Sequence, residues 1–301
     1  MNKFIFGFLV ILTTALMGSS FAIGKIGLAY TSPMLLAAIR FILAGFIMAI
    51  VVKLIKRPHP KKIKDWSKLS IIGFFQTAGV MGCIFVGLRT ISAGELSILT
   101  FMNPLLVVIF GTLFLRTIYT LQQWSGVLLG FIGVFITMGA HLDLKTGTLL
   151  GLMSAISWSI ATLLMKVWGH TFDTWVMSAY QMLCGGFLLL IGSFLFEQPF
   201  FKISQASILI LLWLAIMASI VQFSVWFFLL QKGDSAKTSA FLFLAPFFGV
   251  LSGYLLLDEP VHWYVAVGGS LIFIGIFLVN WESHHTVEKV CRVDSENEYP
   301  L

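Results

Sequence analysis

Long apolar stretches and short polar interruptions alternate along the chain, and the rhythm runs through twice. Apolar stretches fall at 4–24, 33–52, 69–88, 94–115 and 122–141, and again at 147–166, 174–196, 206–230, 237–257 and 261–281. Each is close to the roughly 20 residues that an α-helix needs to cross a bilayer core. Ten in succession cannot share one soluble core, so the pattern predicts ten transmembrane helices. Laid over one another, the halves place Met17 on Trp158, Lys25 on Lys166, Arg40 on Gln181 and Ala44-Gly45 on Gly185-Gly186. Further along they place Thr77 on Ser219, Ser97 on Ser239, Pro104 on Pro246, Gly111 on Gly253, Gly126 on Gly268 and Gly133 on Gly275. An odd number of spans per copy makes the second copy enter the membrane from the opposite side. The expected fold is an all-α polytopic membrane protein of ten transmembrane helices, arranged as two inverted five-helix repeats. Many secondary transporters use this architecture to move a central site between faces. The expected domains are a first repeat at 1–141, a second at 147–281 and a cytoplasmic tail at 282–301. The tail is too polar to bury a core and is expected to be disordered.

Composition agrees: 58% of the residues are hydrophobic and 11% charged, far from soluble averages. The net charge of +6 gains its meaning from where the charges stand. With the N-terminus inside, the connections at 53–68, 116–121 and 166–174 and the tail carry most of the lysines and arginines. The opposite connections hold only Lys25, Arg89, Lys145 and Lys202. The positive-inside rule therefore puts both termini in the cytoplasm of a multi-pass protein of the cytoplasmic membrane. The basic 53–68 loop sets topology and is a candidate contact for anionic lipid; nucleic acid is not an expected partner. Cys83, Cys184 and Cys291 have no metal-like spacing, and no structural disulfide is expected. Lys3 and the apolar run ending in Ser20-Phe21-Ala22 resemble a signal peptide. The same element returns at 147–166, so the first span is expected to be retained.

Polar side chains are costly in hydrocarbon and usually face the bundle interior. Gln76, Thr77 and Cys83 lie in the third span, and Ser97, Thr100 and Asn103 in the fourth. Ser154, Ser157, Trp158, Ser159 and Thr162 lie in the sixth, Ser219, Gln222, Ser224 and Trp226 in the eighth, and Thr238 and Ser239 in the ninth. Gln76 and Cys83 share a helix face, as do Ser97, Thr100 and Pro104, and Ser219, Gln222 and Trp226. The candidate substrate-binding residues are Ser19, Gln76, Cys83, Thr100, Asn103, Trp158, Thr162, Gln222 and Trp226. Two readings stay open for them: the wall of a mixed apolar and hydrogen-bonding cavity, or hydrogen bonds that hold helices together. Pro104 and Pro246 each remove a backbone hydrogen bond and kink a helix, either as bending points of a two-halved machine or as static bends.

Arg40 stands alone as a charge well inside a span, roughly 12 Å past Ser32 at about 1.5 Å per residue. It can snorkel outward or pair with a carboxylate; Glu95, at the outer start of the fourth span, is its expected partner, as a structural or outer-gate pair in preference to a substrate contact. The glycines Gly126, Gly130, Gly133, Gly268 and Gly275 form small-residue stripes for helix packing. The fifth and tenth spans, nearly free of polar groups, are expected to stand away from any substrate path. No Ser/His/Asp set, HExxH or Gly-rich phosphate loop appears, so neither an enzyme nor a metal or cofactor is expected.

The chain resembles the ten-helix EamA family of the drug/metabolite transporter superfamily over essentially residues 4–281. The resemblance rests on Met17-Gly18-Ser19-Ser20-Phe21, on the run from Ser32-Pro33 to Arg40-Phe41 and on Asn103-Pro104. In the second half it rests on Ser157-Trp158-Ser159, Ala245-Pro246 and Leu257-Asp258-Glu259-Pro260. It implies a bacterial inner-membrane carrier with a cavity lined by spans 1, 3, 4, 6, 8 and 9. Members mostly export amino acids, other metabolites or toxic compounds. The family often has Trp where Met17 stands and Glu where Thr117 stands. The expected function is a secondary transporter, an exporter of a small organic metabolite such as an amino acid, working by alternating access. A channel-like facilitator and a non-transporting scaffold or sensor are the alternatives. Its partners are the small-molecule substrate and the bilayer, with monomer and homodimer both open.

Overall fold

The computed structural model describes residues 3–137, 145–232 and 241–281. Thr238, Ser239, Cys291, the tail at 282–301 and most of the 141–147 hinge lie outside the described residues. Among those described, ten helical units follow one another, and the chain is a polytopic helical membrane protein built from two repeats. They are α1 (Lys3–Gly27), α2 (Pro33–Leu54), α3 (Ile63–Gly87), α4 (Ala93–Leu115), α5 (Leu121–Thr137), α6 (Thr146–Trp168) and α7 (Thr174–Phe196). Then come α8 (Gln205–Ala215, through Ile216–Val221, into Gln222–Lys232), α9 (Leu244–Leu257) and α10 (Trp263–Trp281). Seven are long and apolar enough to cross a membrane by themselves; α5, α9 and α10 are shorter. Large side chains such as Phe46, Phe187, Phe194 and Leu255 are exposed on the outside of the bundle, as a hydrocarbon solvent favours.

The helix starts follow local chemistry. Ser92 caps α4 by accepting from the Glu95 N–H, while Glu95 accepts from the Ser92 N–H, a complete capping box. Asp173 caps α7 through the Trp175 and Val176 N–H groups, and Pro33 opens α2, where a missing donor costs nothing. Pro104 acts as its type predicts. α4 breaks at Met102, and Asn103-Pro104 begin its second segment, Asn103–Leu115. In the other half a short 3-10 turn, Phe241–Phe243, precedes α9, with Pro246 in the first turn of that helix.

One feature has no sequence signature. α3 widens into a π-helix at Phe74–Gly79, and α8 does the same at Ile216–Val221, the equivalent place in the repeat. Such wider turns are rare and occur mostly as single-turn bulges inside α-helices. Hydroxyls of neighbouring helices reach these places: Ser157 donates to the Phe75 carbonyl at 2.8 Å, beside the Val80 N–H that the same oxygen accepts, and Thr13, beside the second π segment, donates to the Gln222 carbonyl at 3.0 Å.

The halves interlock. α2 packs on α7 and α5 on α10, each pair related by the repeat. In the α5–α10 pair the glycines meet: a Cβ on Gly126 would lie 2.7 Å from the Gly275 carbonyl oxygen. α1 seats against α9 of the other half, and α6 against α4. There a Cβ on Gly18 would lie 2.6 Å from the Gly249 nitrogen, so only glycine admits the contact.

Candidate functional site

The middle of the bundle holds a cavity in two connected compartments that share Met17, Gln76, Trp158, Gln222 and Phe223. The larger, about 540 Å³, is lined also by Asn103, Pro104, Thr162, Ser178, Gln181 and Trp226, and runs to Tyr119, Gln123, Lys166 and Val279 at one end of the bundle. The deeper one, about 40 Å³, is bounded by Ser20, Phe21, Arg40, Val80, Thr100 and Phe101. The wall is mainly apolar and aromatic with few polar groups, the usual make-up of a small-molecule site. Three of those groups are orphans. The Gln76 Oε1, Gln222 Nε2 and Ser178 Oγ atoms are buried and have no hydrogen-bond partner among the described residues. A buried polar atom left unpaired costs about 1–3 kcal/mol, which a hydrogen-bonding ligand recovers.

Most of the sequence-predicted residues converge here. Gln76, Trp158 and Gln222 reach both compartments, Thr100 the deep one, and Asn103, Pro104, Thr162 and Trp226 the larger. Thr100 shares a 2.7 Å hydrogen bond with Ser154, and Thr162 bonds back to the Trp158 carbonyl. Two candidates stand elsewhere. Ser19 faces a groove on the outside of α1 beside Phe248 and Leu255, its hydroxyl bonded to the Ala15 carbonyl at 2.6 Å. Cys83 lines neither compartment. Pro246 is likewise buried away from the cavity, against Ser97.

The expected Arg40–Glu95 pair does not form. Glu95 is held in its own capping box beside Ser92, whereas Arg40 donates from Nε to Ser219 Oγ at 2.9 Å and from Nη2 to the Ala218 carbonyl at 2.7 Å. Both acceptors belong to the second π segment. The repeat places Gln181 where Arg40 stands, and the Thr77 hydroxyl of the first π segment donates to Gln181 Oε1 at 2.7 Å. A side chain of α2 or α7 thus clasps the opposite π segment in both halves. In one half the clasp is charged, in the other neutral. Span 7, outside the spans expected to line the cavity, supplies Ser178 and Gln181. The ends of α5 and α10 also line the mouth through Gln123 and Val279, correcting the expectation that these helices stand apart. At that mouth burial pushes the Tyr119 phenol above its ordinary pKa, partly offset by the Thr117 hydroxyl, so it stays neutral.

The other end of the bundle is shut. Lys25 Nζ pairs with Glu259 Oε1 at 2.7 Å and donates to the Ile91 carbonyl at 2.9 Å. The same carboxylate accepts from the Ala93 N–H at 2.9 and 3.1 Å, at the start of α4. Beside it the α1–α2 and α7–α8 connections join in an antiparallel bridge between Thr31 and Phe201. Glu197 accepts from the Leu35 N–H at 3.0 Å, favourably placed at the N-terminus of α2.

The family model of EamA-like transporters matches residues 5–139 and 145–281, one match per repeat. An uncharacterized transporter of Bacillus subtilis, YvbV, is 30% identical over 273 residues, 88% of each chain. A protein of Salmonella typhimurium named a probable amino-acid metabolite efflux pump is 27% identical, over 90% of this chain and 93% of its own. A solved crystal structure superposes with a TM-score of 0.67 over 90% of this chain and 96% of its own, at 20% identity. That likeness bears on the fold alone.

Proposed function

The chain belongs to the EamA-like transporter family and is a multi-pass membrane transporter; on that premise we propose that it is a secondary carrier, exporting a small organic metabolite by alternating access. The observation that carries this reading is a cavity of about 540 Å³ that reaches one end of the bundle and stops short of the latched other end. The basic connections at 53–68, 116–121 and 166–174 stand at the open end. The positive-inside rule assigns that end to the cytoplasm, which makes this the inward-facing shape and puts both termini inside, in the cytoplasmic membrane. Exchange of shape between the inverted halves would open the Lys25 end and close the Lys166 end, carrying the bound solute across. The name of the Salmonella relative favours an amino-acid metabolite as solute and efflux as direction. In this reading the hydrogen-bonding ends of Gln76, Gln222 and Ser178 meet the solute, Trp158, Trp226 and Phe223 enclose it, and the Pro104 break is a bending point.

Purified full-length protein in liposomes loaded with a mixed panel of amino acids, organic acids, sugars and amines tests this, with efflux followed by mass spectrometry. A carrier shows saturation and trans-stimulation by external solute, and Gln222→Ala lowers the rate at least about tenfold. Efflux no faster than from protein-free liposomes would overturn the reading, and flux without saturation or counterflow would replace it with a facilitator.

A further inference from the structure

Arg40 is the only buried charged side chain among the described residues, 2% exposed, and it borders the deep compartment. Its hydrogen bonds use Nε and Nη2, to one hydroxyl and one carbonyl, and its guanidinium lies 4.7 Å from the Phe41 ring. No carboxylate lines either compartment. A guanidinium held in a low-dielectric interior without an anion is costly, typically by several kcal/mol. The repeat shows that the charge is not required for holding helices together. Gln181 makes the equivalent clasp to Thr77 with a neutral amide at 2.7 Å. The positive charge is therefore surplus to the packing, and it faces a compartment whose other walls are aliphatic and aromatic side chains with a few hydroxyls and amides.

We propose that the site takes a small organic acid, a carboxylate on an apolar or aromatic body, and that Arg40 is the residue that selects the carboxylate. This deepens the carrier reading and rests on it. The carboxylate meets Arg40 at the deep end, through the donors its clasp leaves free. The body lies against Phe101, Trp158 and Phe223, and the amide ends of Gln76 and Gln222 take whatever further polar group the acid carries. A methyl ester or an amine of the same shape lacks the anion and leaves the guanidinium unpaired.

The test uses the detergent-purified full chain, with equilibrium binding and melting temperature read for 3-phenylpropanoate, its methyl ester, phenylalanine and phenethylamine. Wild type is expected to bind the two carboxylates at least about tenfold more tightly than the ester and the amine. Arg40→Gln copies Gln181 and is expected to keep or raise the unliganded melting temperature while losing the preference for acid over ester. Arg40→Lys, which keeps the charge but not the planar fork, is expected to retain part of it. Equal binding of acid and ester by wild type, an unchanged preference in Arg40→Gln, or a melting temperature lowered by several degrees in unliganded Arg40→Gln would each overturn the proposal. Transport of neutral or cationic solutes with no carboxylate bound overturns the acid site and leaves the carrier standing. Carboxylate binding without transport of any panel member does the reverse.

Discussion

At the latched end of the bundle, the turn after α9 delivers Glu259 to Lys25; at the open end, the same turn after α4 delivers Thr117. The backbones are copies. Asp258 and Arg116 both adopt the left-handed conformation, with φ of 51° and 52°. The Glu259 N–H then donates to the Gly253 carbonyl at 3.3 Å, and the Thr117 N–H to the Gly111 carbonyl at 3.0 Å. Lys25 and Lys166 are copies too. One side chain differs, and with it the whole electrostatic latch: an acid receives a lysine and a helix-start N–H at one end, while the other end offers a hydroxyl. Duplication has preserved the geometry of this turn, and divergence has kept its lysine–acid pair at one end; at the other end the halves are tied instead by Arg57 and Asp173 at 3.2 Å. In the carrier reading proposed above, a shape exchange that closed the Lys166 end would gain no copy of the Lys25–Glu259 pair.

The strongest way to break that comparison is Glu259→Ala, which strips the acceptor from Lys25 and from the Ala93 N–H. We expect the shape open at the Lys25 end to gain about tenfold in population, some 1.4 kcal/mol. Spin labels at exposed positions 89 and 202 would report it as a lengthened distance, and an unaltered distance distribution would sink the latch. Gly253→Ala attacks the same carboxylate indirectly, because a Cβ there would lie 2.6 Å from Glu259 Oε2. The side chain can retreat in part, so the same labels should show a shift of a few-fold, about 0.5–1 kcal/mol.

Thr117→Glu sharpens the comparison from the other side by giving Lys166 an acid. A partly exposed pair is worth roughly 0.2–1 kcal/mol, so a two- to fivefold gain in the shape closed at that end is expected, weakening in high salt. Labels at positions 116 and 170 would follow it; a gain that salt leaves untouched would speak against an ion pair. The smallest change is Arg116→Gly. It removes left-handed strain of about 1 kcal/mol from an exposed residue and should raise the melting temperature by a few degrees, with all label distances unmoved.

The sequence makes the repeat, the ten spans and the convergence of Gln76, Thr100, Trp158, Gln222 and Trp226 legible, because burial and helical periodicity are local properties. The latch is not, since Lys25 and Glu259 are 234 positions apart and each reads as an ordinary charge near a span end. The π segments leave no residue signature, so the clasp of Arg40 on Ser219 is hidden with them. The separation of Glu95 from Arg40 is legible: Ser92 and Glu95 spell a capping box, and an acid that closes its own helix start does not reach across to Arg40. The positions of Ser19 and Cys83 are not legible, because a hydroxyl or thiol residue type does not say which face of its helix meets a neighbour.

The exchange of partners between halves also sets a timetable for biogenesis. α1 leaves the ribosome before α9, yet the glycine face it presents at Gly18 is completed only by that helix. Roughly 230 residues must be synthesised in between, some 12–45 s at about 5–20 residues per second. For that interval the nascent first half stands in the lipid with its seam unfilled. Its assembly therefore waits for α9, and a chain halted before that helix keeps the Gly18 seam open.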